Sequence, residues 1–483
     1  MSILNYIIFF AYFVLVLVMG YLLGSHNKTG TEYFLASRSM RWFPIGLSMM
    51  VTSFSASNFK AFPTEVATNG LYVMISIPVF LLSGLVVNRF FVPKFHAMRA
   101  VSLYSVLEEK FDVRVRLLAG VIFMFWRLIW MAATLVAAAK ILHVMTGLHW
   151  TWLLSIIGFV ALVYTVYGGI RAVIWTDVVQ FFVILCGVLA GMIVLIKAMP
   201  GGIGELFSEV YAKGGFKPVA PVDPEFFSFN PMIRITLWSG LLGTLVTFMG
   251  RFGADQMMVQ RYFTARTVKG AKAGVWCNVI ASMFVLTLLS LFGVFLRSTP
   301  EAGTVSAGAL LASVVAAMPD GVSGLVCAGI LAASMSSMDS GINACSASYM
   351  SDIRPRLPRH LLSEGSARYF SSAVFGILAI FFGYAVAQTG DFFEMLNKIV
   401  NGLGSPLLGL ILLALFFKRA NATGSFIGGL TGPIFSLYSG LFVKNLSLHY
   451  YSALNLLVTL AVGLVASLIV ERLVQTGKTP NQN

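Results

Sequence analysis

Long apolar segments, separated by short polar ones, run along almost the whole chain. Most are about as long as a helix that crosses the hydrocarbon core of a bilayer, roughly 20 residues. The pattern predicts an all-α polytopic membrane protein with about 13 transmembrane helices. The predicted spans cover residues 4–24, 43–62, 71–92, 117–145, 150–167, 175–198, 235–253, 273–296, 322–350, 367–387, 392–417, 424–443 and 451–470.

Two of these spans are interrupted. Residues 52–58 put five hydrogen-bonding side chains inside the second span, and Pro63 follows, while the seventh span contains Gly240, Gly243 and Gly250. Five spans separate the start of one from the start of the other. This spacing is typical of an inverted five-plus-five helix repeat in which each half opens with a broken core helix. The alternative is ordinary polar packing of helix against helix.

The spans divide the chain into five parts. These are an N-terminal extra helix with the first cytoplasmic loop (1–42), a first five-helix repeat (43–198), an extracellular loop (199–233), a second five-helix repeat (234–420), and two C-terminal extra helices with a short cytoplasmic tail (421–483).

Composition and charge agree with a membrane protein. The chain is 58% hydrophobic and only 11% charged, which is too little charge for a soluble protein of this length. The net charge of +14 does not indicate a nucleic-acid partner, because Lys and Arg cluster in alternate loops. By the positive-inside rule, this distribution predicts that the N-terminus lies outside and the C-terminus in the cytoplasm. We expect the protein to lie in the inner or plasma membrane of the cell. No P-loop motif is present, and we expect no enzymatic activity and no obligate protein partner.

One face of the ninth span is rich in oxygen atoms. Ala333, Ser336, Ser337 and Ser340 follow the i, i+3, i+4, i+7 spacing of a helix face, with Asp339 beside them. Hydroxyl, carbonyl and carboxylate oxygens are the ligands of hard cations. A polar face inside a membrane helix is costly, so it indicates a function. The alternative is a hydrogen bond from a serine to the carbonyl four residues earlier, as Ser337 could make to Ala333.

Four motifs, in order along the chain, resemble signatures of the sodium:solute symporter family. They are residues 33–39, 167–180, 260–263 and 335–340. The resemblance implies a leucine-transporter-like fold and secondary active transport, in which sodium entry drives uptake of a solute by alternating access across the lipid bilayer. Na⁺ is then the coupling ion, and a small molecule is the transported partner.

The resemblance also implies where Na⁺ binds. The family's principal sodium site uses backbone carbonyls of the broken first core helix, which fall on Val51 and Phe54 here. The Ala333 carbonyl and the Ser336 and Ser337 hydroxyls complete it.

A possible second cation site involves Asp177, Asp339 and Ser340. In family members with a second sodium, the acid that matches Asp177 joins two serines, and Asp339 replaces one of those serines here. The carboxylate of Asp339 could bind a cation, take up a proton or pair with a buried base. The number of coupled sodium ions is therefore open.

The substrate candidates are Ser53, Asn58, Lys60 and Arg127. Buried cations need a partner, so Lys60 and Arg127 could pair either with an internal acid or with a carboxylate of the solute. Residues 55–66 resemble the family branch that carries iodide, vitamins and monocarboxylates. We therefore expect a small organic anion such as a monocarboxylate.

Other functions stay open at this stage. A sodium-coupled symporter of sugars, sialic acids or amino acids would share the same motifs, and a proton-coupled carrier could use Asp177 or Asp339. A sensor that binds solute without moving it and a channel are further alternatives. Broken helices at mid-membrane favour occlusion of a solute over a channel.

Overall fold

The computed structural model describes residues 2–25, 27, 29–198, 201–212, 214–218, 222–299, 307–357, 362–388, 392–443 and 446–476. These residues form nineteen α-helices and no extended strand. The helices are α1 (Ile3–Gly24), α2 (Gly30–Leu35), α3 (Trp42–Ser53), α4 (Ala56–Asn69), α5 (Ser76–Val86), α6 (Val92–Met98), α7 (Ser105–Lys110), α8 (Val113–Thr146), α9 (Trp150–Lys197), α10 (Gly202–Ala212), α11 (Leu237–Gly253), α12 (Gln256–Thr264), α13 (Val268–Leu296), α14 (Ala307–Ala316), α15 (Val322–Ser348), α16 (Glu364–Ala387), α17 (Phe392–Phe416), α18 (Ala422–Phe442) and α19 (Leu448–Thr476).

The all-α membrane fold predicted from the sequence is confirmed. Each predicted span coincides with a helix, or with helical pieces joined by a break or kink. In the described part of the chain, eight helical segments are long and apolar enough to cross a membrane by length and composition alone. Among the other predicted spans, the second falls on the broken pair α3 and α4, and the seventh falls on α11, which has 17 residues.

The break expected in the second span lies at Phe54 and Ser55. Helix α3 ends at Ser53, Phe54 adopts φ −108° and ψ 106°, Ser55 adopts φ −98° and ψ 167°, and α4 starts at Ala56. Two extended residues interrupt the helical hydrogen-bond ladder and leave carbonyl groups free of it. Such groups are tolerated at membrane depth only where protein or a ligand satisfies them.

The second break lies outside the glycine-rich stretch in which the sequence placed it. Helix α11 runs unbroken through Gly240, Gly243 and Gly250, and the chain leaves helical geometry at Ala254 and Asp255. The glycines serve packing instead, because a Cβ at Gly243 would come within 2.0 Å of the His449 carbonyl oxygen. The new helix, α12, is started by the Asp255 carboxylate, which accepts a hydrogen bond from the Met257 amide at 2.9 Å.

The predicted fifth and sixth spans join within α9 at Gly169. This residue has φ 58° and ψ −167°, which favours glycine. A Cβ there would also lie 2.8 Å from the Tyr33 carbonyl oxygen. Asn27 Nδ2 donates to the Gly168 carbonyl at 2.7 Å. Two of the sequence motifs, residues 33–39 and 167–180, therefore pack against each other.

Helix α15 lies at the centre of the molecule. The apolar stretch of the segment that contains α15 is 94% buried, whereas the corresponding stretches of α1 and α19 are each 22% buried. Helix α15 packs most extensively on α9 and also contacts α8, α1, α16 and α3. The serine face of α15 is therefore enclosed by protein, whereas α1 and α19 direct most of their apolar side chains outward.

Candidate cation and substrate sites

The broken helix and the serine face are neighbours in the structure. Thr52, between Val51 and Phe54, lies with its Oγ1 2.9 Å from Ser340 Oγ. Ser340 is one helical turn from Ser336 and Ser337 on α15. The carbonyls freed near the α3–α4 break and the α15 hydroxyls therefore belong to one buried, oxygen-rich region.

Two oxygen atoms in this region, Ser336 Oγ and Asp177 Oδ1, make no hydrogen bond of ordinary geometry among the described residues, and both side chains are fully buried. Ser336 lies close enough to Asp177 to interact with its carboxylate. Buried polar atoms are normally paired. Unpaired hydroxyl and carboxylate oxygens suit a hard monovalent cation such as Na⁺. Ser337 differs, since its hydroxyl donates to the Ala333 carbonyl at 3.1 Å, as the alternative interpretation of the serine face expected.

Arg261 on α12 enters the same region, although no role for it was predicted from the sequence. Its Nη2 donates to Asp177 Oδ2 at 3.1 Å and to the Thr52 and Ser340 hydroxyls at 2.6 Å each. Its Nε donates to Ser48 Oγ at 2.7 Å, and the side chain is fully buried. A guanidinium group therefore binds two of the three residues predicted for a second cation. This pairing could have been inferred from the sequence. A buried acid such as Asp177 needs a basic partner, and the motif 260–263 contains Arg261.

Asp339 has no ion-pair partner among the described residues. Tyr164 Oη donates to its Oδ2 at 2.6 Å, and Ser340 Oγ donates to its Oδ1 at 3.1 Å. We define the cation cluster as Asp177, Asp339, Arg261, Ser336 and Ser340. It holds two carboxylates and one guanidinium group, all fully buried. With both acids ionised, the cluster therefore carries one excess negative charge.

A cavity of about 210 Å³ begins at the α3–α4 break. Ser53 and Asn58, two of the predicted substrate residues, line it. Its lining combines aromatic rings with hydroxyl, amide, imidazole and guanidinium groups, which is the usual composition of a site for a small organic molecule. The remaining lining residues are Met50, Phe54, Phe62, Val73, Ser76, Phe80, Thr244, Thr247, Phe248, Arg251, Ser282, Leu286, His449 and Ser452. We call this the central cavity.

The other two predicted substrate residues lie elsewhere. Lys60 is half-buried on α4 and is not in the lining of the central cavity. Arg127 on α8 is 2% exposed and forms a salt bridge with Asp255, the residue that starts α12. It lines a small pocket beside the central cavity.

Arg251 is the charged residue that sequence reasoning missed in the central cavity. It lies in the last turn of α11, and its Nη1 donates to the Ser53 carbonyl at 3.1 Å. Within the described residues, no carboxylate forms a salt bridge with it. The only signal in the sequence was an isolated arginine at the end of an apolar span, which is also typical of a residue that reaches for the membrane surface.

Comparisons with known proteins agree with this arrangement. Residues 33–432 match the sodium:solute symporter family. The chain is 27% identical to a sodium/sialic acid symporter of Proteus mirabilis, over 96% of this chain and 95% of that one. It is 31% identical to a sodium-dependent multivitamin transporter of Oryctolagus cuniculus, over 91% and 70% of the two chains. For sodium-coupled monocarboxylate transporter 1 of Homo sapiens the identity is 28%, over 86% and 69%.

A solved structure of similar fold is that of a Na⁺-coupled sialic acid symporter in a substrate-bound, outward-open state. It has a TM-score of 0.87 at 25% identity and covers 97% of this chain and 98% of its own. A nucleobase-cation-symport-1 family transporter shares the fold at a TM-score of 0.57 and 14% identity.

The chain belongs to the sodium:solute symporter family. It is a multi-pass membrane transporter that uses Na⁺ and a small-molecule solute, and it is not an enzyme.

Proposed function

We propose that this symporter imports a small organic anion together with Na⁺. Arg251 carries the proposal, because it puts a positive charge on the wall of the central cavity without a carboxylate partner among the described residues. A guanidinium group held in a largely apolar cavity is best satisfied by an anionic ligand. Ser53 and Asn58 would hydrogen-bond the polar groups of the same solute.

Sodium would bind beside the α3–α4 break. The proposed ligands are the carbonyl oxygens of Val51, Phe54 and Ala333 and the hydroxyls of Ser336 and Ser337. The buried Ser336 hydroxyl, which makes no hydrogen bond of ordinary geometry among the described residues, supports this site. Sodium there would tie α3 to α15 and favour the conformation that accepts solute from outside. Parting of the same helices would release both ligands inside.

One sodium ion would accompany each solute. Arg261 already donates to Asp177 and Ser340 in the set predicted for a second cation. Because this guanidinium group already neutralises the Asp177 carboxylate, no second sodium ion is needed to balance that charge. One Na⁺ would then balance the charge that remains on Asp339. With a monovalent anion as solute, transport would be electroneutral.

The proposed topology follows from the same family relationship. Residues 43–198 and 234–420 would form the two inverted repeats, with residues 1–42 and 421–483 outside them and 199–233 as an extracellular segment. The N-terminus would lie outside and the C-terminus in the cytoplasm. Labelling of single cysteines at Ser2 and at Gln475 with a membrane-impermeant reagent in whole cells tests the orientation. Reaction at Gln475 but not at Ser2 would contradict it.

Binding of defined solutes tests the function. The purified protein is heated with lactate, nicotinate, N-acetylneuraminate, glucose or alanine, each in sodium and in potassium buffer. We expect stabilisation by carboxylic acids in sodium only, through mass action on the folded state. Sodium-dependent stabilisation by glucose, without any acid, would overturn the organic-anion proposal. Equal stabilisation by acids in both buffers would overturn the sodium site.

A further inference from the structure

A small polar pocket adjoins the central cavity on the far side of Arg251. Its volume is about 30 Å³, which is close to one water molecule or one carboxylate group. The lining residues are Trp126, Arg127, Trp130, Thr247, Gly250, Arg251, Gly404 and Ser405. We call this the side pocket. Arg251 and Thr247 line both the side pocket and the central cavity, so the two spaces meet at these side chains.

Arg127 is fixed in the side pocket and keeps a free donor. Its guanidinium carbon lies 3.8 Å from the centre of the Trp126 ring and 4.9 Å from that of Trp130. Its Nη2 is bound to Asp255, but its Nε has no hydrogen-bond partner among the described residues. A buried N–H of a charged group that lacks an acceptor is costly, so it indicates a missing ligand.

The charges around the side pocket do not balance. Arg127 and Arg251 are its charged lining residues, and Asp255 is the acid paired with one of them. Two guanidinium groups and one carboxylate leave one excess positive charge. The paired residues Arg127 and Asp255 are 3% and 0% exposed, whereas Arg251 is only partly buried, so the excess charge lies where the side pocket meets the central cavity. One monovalent anion would neutralise the combined charge of Arg127, Arg251 and Asp255.

We propose that the side pocket is the subsite for the carboxylate of the transported solute, with the rest of the solute in the central cavity. This rests on the proposed function, which it makes more specific. A planar carboxylate can accept hydrogen bonds from both guanidinium groups. A single excess charge favours monocarboxylates over dicarboxylates, and the small volume excludes bulkier anionic groups such as phosphate esters.

A series of charge variants tests the subsite. Asp255→Asn keeps a side chain that can start α12 and raises the net charge of the group from one to two. Arg251→Gln lowers that charge to zero. Binding of nicotinate and lactate, and of the uncharged nicotinamide and lactamide, is measured by calorimetry in sodium buffer. Arg266→Gln removes an exposed arginine and serves as the control.

We expect acid affinity to fall in the order Asp255→Asn, wild type, Arg251→Gln, with a loss of roughly tenfold or more in Arg251→Gln. Amide affinity and the control should not change. Asp255→Asn should also admit the dicarboxylate malate. If the acids bind wild type better than the amides do but the series leaves their affinity unchanged, the subsite is wrong and the proposed function stands. If acids and amides bind wild type equally, or no acid binds, the proposed function fails as well.

Iodide separates a solute carboxylate from a free inorganic anion. Trp126 and Trp130 flank the subsite, so an ion there would quench their fluorescence. If iodide quenches the tryptophan fluorescence of wild type but not of Arg251→Gln, we expect nicotinate to displace the iodide and relieve the quenching. Quenching that depends on Arg251 but is unaffected by saturating nicotinate would assign the side pocket to a halide and overturn the carboxylate subsite.

Discussion

Arg261 donates to Asp177 across 3.1 Å in a region where neither side chain is exposed. The two residues come from α12 and α9, so this ion pair links the second broken helix to the long helix that packs on α15. It also gives Asp177 a permanent internal cation.

Removal of one partner from this pair should destabilise the protein. Arg261→Gln leaves a buried carboxylate without its base, which typically costs about 3–5 kcal/mol. We expect a large fall in the melting temperature in detergent. The double variant Arg261→Gln with Asp177→Asn should recover much of the loss, because it leaves no unpaired charge. Equal destabilisation by the single and double variants would show that the pair is not what stabilises this region.

The serine face should determine sodium affinity. Ser336→Ala combined with Ser337→Ala removes two proposed ligands, and we expect the sodium concentration for half-maximal stabilisation to rise by roughly tenfold or more. Ser334→Ala is a matched control on the same helix, since its hydroxyl donates to the Thr134 carbonyl at 3.3 Å. Sodium affinity that is unchanged in the double variant would remove these serines from the site.

Asp339 should strengthen sodium binding without binding a second ion. Asp339→Asn can still accept the hydrogen bond from Tyr164 but removes the excess negative charge of the cation cluster. We expect weaker sodium binding and an unchanged ratio of sodium to solute in ²²Na⁺ and solute flux. A fall in that ratio from two to one would contradict the assignment of a single sodium.

A cluster of charges on the side that we propose to be cytoplasmic should hold the transporter closed on that side. Arg116 binds Glu108 and Asp352 at 2.7 Å each, and Arg356 binds Glu108 at 2.6 Å. Through these bonds α7 and α8 are tied to the segment after α15. Glu108→Gln should therefore increase the reactivity of a single cysteine placed at Ser351 toward a thiol reagent applied from the cytoplasmic side. Unchanged reactivity would exclude a gating role for Glu108.

This contact should be insensitive to mild acid. Burial tends to raise the pKa of Glu108, but hydrogen bonds from Arg116 and Arg356 outweigh it and hold the pKa below its ordinary value. Because the folded-state pKa is lowered, the contribution is present above the ordinary glutamate pKa and is lost as the pH falls through the lowered pKa. The thiolate fraction of any cysteine falls with pH, so we expect the ratio of this cysteine's reactivity to that of a fully exposed reference cysteine at the same pH to be constant from pH 8 to pH 5. An increase between pH 6 and pH 5 would contradict this assignment.

The sequence was most informative where a pattern had one structural explanation. The apolar spans predicted the helices, and the polar run 52–58 predicted the break found at Phe54 and Ser55. The glycines did not locate the second break. Gly243 allows close packing of two helices, and in a sequence such a glycine cannot be distinguished from one that breaks a helix.

The side-chain partners could not be predicted in the same way. Arg127 pairs with Asp255 and Arg261 with Asp177, and each pair joins residues more than 80 positions apart. Arg251 has no sequence feature that distinguishes it from an arginine at a membrane surface. Its importance depends on the cavity, which exists only after α3, α4, α5, α11, α13 and α19 have packed together.

Steady-state accumulation in proteoliposomes tests electroneutral coupling of one sodium to one monocarboxylate most directly. Radiolabelled nicotinate or lactate is supplied outside with a tenfold inward sodium gradient, with and without an inside-negative potassium diffusion potential set by valinomycin. We expect about tenfold accumulation, independent of the potential, abolished without sodium and insensitive to a protonophore. Accumulation that rises with the inside-negative potential, or that persists without sodium and collapses with a protonophore, would contradict the mechanism.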